Sequence, residues 1–158
     1  MADYTDREII LSAKEVDVKF KVRGRVLNAI RGISLDLYKG ESIAIVGESG
    51  SGKSVFTKTF MGLLESNGYI NSGSIMYKGM DLAKFKTNKE WQAIRGKEIA
   101  MVSQDPMTSL NPLKVVGKQI KEDIELHRGL KGDEAKRLAI ELLEDVGIAN
   151  PEKRYNQY

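Results

Sequence analysis

The chain has 158 residues, enough for one domain with a sizeable core, and its 41% hydrophobic and 30% charged residues are ordinary for a soluble globular protein, not for a disordered chain or a fibre. A net charge of +3 is too mild for the concentrated basic face of a nucleic-acid binder, so no nucleic-acid partner is expected. The absence of cysteine excludes a disulfide framework and any thiolate metal site, and fits a reducing compartment.

The first residues, Met1 to Lys14, hold only a short Ile9-Ile10-Leu11 run and no signal-peptide apolar region. No stretch is long enough to span a bilayer, so a membrane role would come through a partner. Residues 9–22 alternate as a strand does, with Val16, Val18, Phe20 and Val22 on one side and Lys19, Lys21, Arg23 and Arg25 forming a solvated polar series. Arg23-Gly24-Arg25 signals a turn, the alternation resumes at Ile33, Leu35 and Leu37, and Lys39-Gly40-Glu41 ends it. Ile43-Ala44-Ile45-Val46 is a continuous apolar run, expected as a strand buried on both faces. A glycine-rich loop follows, and then Val55, Phe56, Phe60, Leu63 and Leu64 recur at helical spacing.

Residues 66–81 read as turn-rich (Ser66, Asn67, Gly68, Gly73, Gly79), with a short strand at 74–77. Ile99-Ala100-Met101-Val102 is a second buried-strand candidate. After Pro112 the pattern turns helical. Val116, Ile120 and Ile124 recur every fourth residue, and Ala135, Leu138, Ala139, Leu142, Leu143 and Val146 form a wide stripe that Gly147 caps. No internal repeat or low-complexity tract is present.

Gly47-Glu48-Ser49-Gly50-Ser51-Gly52-Lys53-Ser54 matches the phosphate-loop pattern GxxxxGK[ST]. Glycines let the backbone curl so that successive N–H groups point inward at a phosphate. A helix opening at the end of the loop adds free N–H groups and its positive dipole end. Lys53 supplies a mobile charge for the β- and γ-phosphates, and Ser54 a hydroxyl for Mg²⁺. A flexible Gly/Ser linker is the plain alternative. The strand expected before the loop and the helix after it favour the phosphate loop.

The loop alone does not choose among GTPases, small-molecule kinases and transport ATPases. Asn88-Lys89-Glu90-Trp91 begins like a guanine-reading Asn-Lys-x-Asp but has Trp91 where the carboxylate belongs. Gln104 follows the second apolar run directly, so it can sit at the carboxyl edge of a sheet, where an amide can touch both a metal ion and an attacking water. A polar strand-end residue followed by a turn is the other reading.

The loop Gly47–Ser54, the run ending in Gln104, and Asp105-Pro106-Met107-Thr108-Ser109-Leu110-Asn111-Pro112 together resemble the ATP-binding subunits of ABC transporters, oligopeptide/dipeptide importer branch. The resemblance extends from about Val16 to Tyr158. It implies an α/β phosphate-loop NTPase core of ABC type with an antiparallel β subdomain and the start of a helical subdomain, truncated relative to a full subunit. Residues 1–103 would form the nucleotide-binding core with its β subdomain, and residues 104–158 the Q-loop and the start of the helical subdomain.

By the same resemblance the cofactors are ATP and Mg²⁺, with Gln104 sensing the metal and the γ-phosphate. An aromatic residue upstream of the loop stacks on adenine in this family. Phe20 matches it, and reads equally well as an inward strand residue. Val55 occupies the α-phosphate position, where many members carry a Thr or Ser hydroxyl, and so departs from the pattern. The implied partners are transmembrane permease subunits, a second ATP-binding subunit and, indirectly, an extracytoplasmic peptide-binding protein. The implied location is the cytoplasmic face of the membrane, held peripherally.

The chain contains no Leu-Ser-Gly-Gly-Gln-like signature and no run of four apolar residues leading into Asp-Glu. Glu144-Asp145 follows Leu142-Leu143 but belongs to the polar face of a helix, and His127, the single histidine, reads as a surface or capping residue. The resemblance therefore implies a subunit that continues past Tyr158, with this chain binding ATP but not hydrolysing it alone. Its rivals are a nucleotide or small-molecule kinase and one half of a DNA-maintenance ATPase.

Overall fold

The computed structural model describes residues 7–103 and 109–158. The chain divides into two compact units, one ending at Arg95 and the other beginning at Gly96.

The first unit is built on a hairpin of two long strands, β1 (Ile9–Val22) and β2 (Arg25–Tyr38). Arg23 and Gly24 join them with φ of 48° and 77°, the two positive values of a tight type I′ turn. A third strand, β3 (Gly68–Tyr77), pairs antiparallel with the other edge of β1, and the short β4 (Met80–Asp81) completes the order β2-β1-β3-β4.

The buried positions of β1 change phase. Leu11 and Ala13 are inside, and then Val16 and Val18. Glu15 between them has φ 48°, and the register slips there against both neighbouring strands. This is a β-bulge, which an extra residue creates by bending the strand. Gly32 of β2 and Gly73 of β3 also have positive φ, and a Cβ at Gly73 would stand 2.4 Å from the Glu15 carbonyl oxygen. The hydroxyl of Ser34 accepts from the Glu15 amide at 2.9 Å and donates to the Glu15 carboxylate at 3.0 Å, so the bulge keeps its hydrogen bonds.

Ile30, Ile75, Tyr77 and Leu82 join the β1 residues in the core, each large aliphatic side chain adding about 1.5–3 kcal/mol of burial. Helix α1 (Lys53–Thr59) buries Phe56 and Thr59, and Phe60 meets Phe56 edge-on at 4.9 Å between ring centroids. Gly62 (φ 59°) turns the chain after the helix beneath the ring of Trp91, which a Cβ at 62 would strike at 2.2 Å. Trp91 is buried on the short helix α2 (Asn88–Gln92), which Thr87 and Glu90 start with a reciprocal capping box. The segment that begins like a guanine-reading motif is thus a capped helical turn anchored by its tryptophan.

The second unit packs three helices, α3 (Val116–Arg128), α4 (Gly132–Asp145) and α5 (Pro151–Tyr155), around Ile124, Ala135, Ala139, Leu143 and Tyr155. The small residue Gly117 admits the Tyr155 ring, which a Cβ there would meet at 2.2 Å. Gly147, with φ 77°, ends α4 as expected. Its amide donates to Glu144 O at 2.8 Å and that of Ile148 to Leu143 O at 2.9 Å, a Schellman cap. Glu144 and Asp145 are exposed, and His127 lies against Gly96 with Nε2 3.5 Å from Asp123.

Three expectations change. The runs 43–46 and 99–102 form no strand, and Val46 is 86% and Val102 98% exposed. Their composition suits a strand covered on both faces, yet no described strand lies beside either to take up its hydrogen bonds. The turn-rich reading of 66–73 also fails, because β3 starts at Gly68. Gly68 and Gly73 are sites of close approach inside a strand, not turns. Finally, α1 ends at Thr59, so Leu63 and Leu64, read at helical spacing, lie beyond it.

Candidate nucleotide-binding site

Residues 47–54 form a closed loop at the start of α1. The Lys53 ammonium folds back into it, donating to Gly47 O at 2.8 Å and Glu48 O at 2.7 Å, with Ser51 Oγ at 3.4 Å. The Ser51 amide donates to Glu48 O at 3.2 Å, tightening the turn. One ammonium thus organises the loop backbone, and of its three donors the longest contact is the one a phosphate oxygen can most readily replace.

Two glycines are required by conformation. Gly50 (φ 81°) turns in open space. Gly52, the residue before the helix, has φ 94° and packs on β2, where a Cβ would come within 2.6 Å of Ile30 Cδ1 and 3.0 Å of Ala29 O. Glu48, Ser49 and Ser54 are exposed, and the Ser54 hydroxyl makes no hydrogen bond among the described residues.

A shallow depression of about 250 Å³ lies beside the loop, lined by Asn28, Ala29, Gly50, Gly52, Lys53, Ser54 and Val55. Four of the expected site residues from 50 to 55 therefore come together with Val55. Asn28 and Ala29 of β2 join them, and sequence reading missed both. The only hint of them was a polar residue, Asn28, within an otherwise apolar stretch of strand. Phe20 does not line the depression. It is half-buried in β1, paired with Leu27 of β2, and its ring covers Gly68. Gln104 and residues 105–108 lie outside the described residues. Among the described residues no group of three or more metal-ligating His, Cys, Asp or Glu occurs, and no helix is long and apolar enough to cross a membrane.

The residues present fit a nucleotide triphosphate with Mg²⁺: curled backbone, a centred ammonium, an unengaged serine hydroxyl and a neighbouring depression. The loop, its lysine and the helix that follows have the sequence and the curled backbone of a phosphate loop. Among solved structures the chain is similar to the ATP-binding cassette MJ0796, in a dimeric post-hydrolysis state bound to ADP and Pi, with a TM-score of 0.78 and 23% identity over 93% of this chain and 60% of that one. A second structure of MJ0796, described as a bacterial ABC transporter cassette, has a TM-score of 0.77. These likenesses carry the fold.

Residues 30–158 match the family described as ABC transporter, and the chain belongs to that family. It is 53% identical to the oligopeptide transport ATP-binding protein AmiE of Streptococcus pneumoniae, over 97% of this chain and 43% of AmiE. It is 50% identical to the oligopeptide transport ATP-binding protein OppD of Bacillus subtilis, over 94% of this chain and 42% of OppD. The chain thus spans less than half the length of these curated relatives.

Proposed function

We propose that the chain carries the nucleotide-binding loop of an ABC-type oligopeptide or dipeptide importer subunit, which binds ATP-Mg and couples it to transport. The observation that carries this is the closed loop 47–54 with Lys53 Nζ at its centre, 2.7–2.8 Å from two of its carbonyls. The names of the relatives at about 50% identity support the peptide substrate class.

The loop amides of residues 47–52, among them Glu48, Ser49 and Ser51, and the Lys53 ammonium would hold the phosphates, with Val55 beside them, Ser54 and Gln104 would hold the metal, and Phe20 would supply an aromatic face for the base. Mg²⁺, when bound, draws charge from the phosphate oxygens. Hydrolysis belongs to the complete subunit, where Gln104 positions water, and a second ATP-binding subunit closes over the nucleotide. Transmembrane permease subunits and, through them, a peptide-binding protein are the partners, with the subunit held peripherally at the cytoplasmic face.

Calorimetry with ATP-Mg tests the reading. Lys53→Ala is expected to weaken ATP about tenfold or more, because charge-assisted bonds contribute about 1.5–3 kcal/mol each. Unchanged ATP affinity would remove the loop from the mechanism. In a full-length subunit, Gln104→Ala should lower turnover while leaving ATP affinity nearly unchanged. Undiminished turnover would exclude Gln104.

A further inference from the structure

We propose that Asn28 reads the sugar of the bound nucleotide, hydrogen-bonding the ribose hydroxyls from β2. The proposal rests on the nucleotide-binding reading above and adds to it a residue that discriminates ribose from deoxyribose.

Three successive residues of β2 pass the loop in different settings. Leu27 pairs with Phe20, the candidate base platform. Ala29 sets its carbonyl oxygen against Gly52, 3.0 Å from where a Cβ would stand. Asn28 lies between them. A strand advances about 3.3 Å per residue, and in a nucleotide the sugar is the part between base and phosphates.

A regular strand would turn residues 28 and 29 to opposite faces. Here Val18 pairs with Ile30 and Lys19 with Asn28, leaving Ala29 unpaired in a bulge. That irregularity lets both Asn28 and Ala29 border the same depression.

Of the lining residues only Asn28, Lys53 and Ser54 carry polar side chains. Lys53 is tied into the loop, and Ser54 sits at the first turn of α1. Val55 offers no hydroxyl. The Asn28 carboxamide is exposed and makes no hydrogen bond among the described residues. It presents a donor and an acceptor side by side, which matches a vicinal diol whose hydroxyls each give and accept.

The test is calorimetry of the 158-residue chain with ATP, 2′-deoxy-ATP, GTP and inorganic tripolyphosphate, all with Mg²⁺. The wild type should bind ATP about three- to tenfold more tightly than 2′-deoxy-ATP, the worth of one or two neutral hydrogen bonds. Asn28→Ala should bring that ratio to about one, leaving tripolyphosphate binding and the melting temperature unchanged. Asn28→Ser, which keeps a hydroxyl, should retain part of the preference. If the ratio survives Asn28→Ala while Lys53→Ala abolishes tripolyphosphate binding, the sugar contact is overturned and the phosphate loop stands. A variant that alters only the preference for ATP over GTP would assign Asn28 to the base and likewise overturn the proposal. Failure of the wild type to bind either ATP or tripolyphosphate would overturn both readings.

Discussion

The ring of Phe20 lies over Gly68 so closely that a Cβ at position 68 would stand 2.6 Å from Phe20 Cε1. An aromatic ring set on a strand glycine covers backbone that would otherwise be open. Phe20→Ala should weaken ATP by about 1–3 kcal/mol, with GTP falling in step, because stacking tolerates any base. Gly68→Ala should displace the ring and lower ATP affinity while sparing tripolyphosphate. A Phe20→Ala protein that melts earlier yet keeps its ATP affinity would confine the ring to the sheet.

Gly52 and Gly50 make a contrasting pair. Both have positive φ, but only Gly52 is hemmed in, by Ile30 and the Ala29 carbonyl. Gly50→Ala should cost about 1–2 kcal/mol, the strain of a left-handed residue. Gly52→Ala adds a backbone clash, so the loop should lift from β2, with a larger drop in melting temperature and loss of tripolyphosphate binding. Equal effects of the two substitutions in thermal melts would refute this packing.

Arg95 closes the far end of α1. Its Nε donates to Met61 O and its Nη2 to Gly62 O, both at 2.7 Å, while the guanidinium lies 5.3 Å from the Trp91 ring centroid. Arg95→Ala should destabilise the first unit by about 1.5–3 kcal/mol. Arg95→Lys should recover only part of this, since an ammonium cannot reproduce the planar fork. Urea unfolding monitored by Trp91 fluorescence measures both, and full recovery by lysine would argue against the forked contact.

Asp81 links pH to the stability of β3. Burial pushes its carboxyl upward, but the amides of Ile75 and Ala83 and the Lys84 ammonium outweigh it, so the group titrates below the ordinary carboxylate range. A lowered folded-state value contributes stability that is present above the unfolded value and lost as pH falls through the folded one. Wild type should therefore be more stable than Asp81→Asn at neutral pH, and the gap should close as pH drops below about 4. Melting curves against pH would show it, and a constant gap would mean the carboxylate charge is not the cause.

Much of this was legible in the residues. The hairpin turn at Arg23-Gly24 and the Gly147 cap announce themselves because a positive φ favours a few residue types. The amphipathic stripe of α4 follows from its period. The phosphate loop is read from residue type and spacing together. What escaped depends on partners distant in sequence. The runs at 43–46 and 99–102 have the composition of interior strands, but a strand exists only where another accepts its hydrogen bonds. Asn28 and Ala29 enter the depression because a bulge alters the facing of their strand, and no local pattern marks that bulge.

The bulge at Glu15, matched by Gly32 and Gly73, acts as a registration mark shared by three strands. Sliding β1 by one position would send Val16 and Val18 to solvent and set a side chain where Gly73 now meets the Glu15 carbonyl. Alternative pairings are thus penalised twice, by misplaced apolar groups and by collision. Insertions between Leu11 and Phe20 should be poorly tolerated even at exposed positions, whereas the Lys39-Gly40 turn has no such constraint on its length. A second irregularity, at Ala29, lies between this mark and the hairpin tip, and it is the one that brings Asn28 and Ala29 together beside the loop.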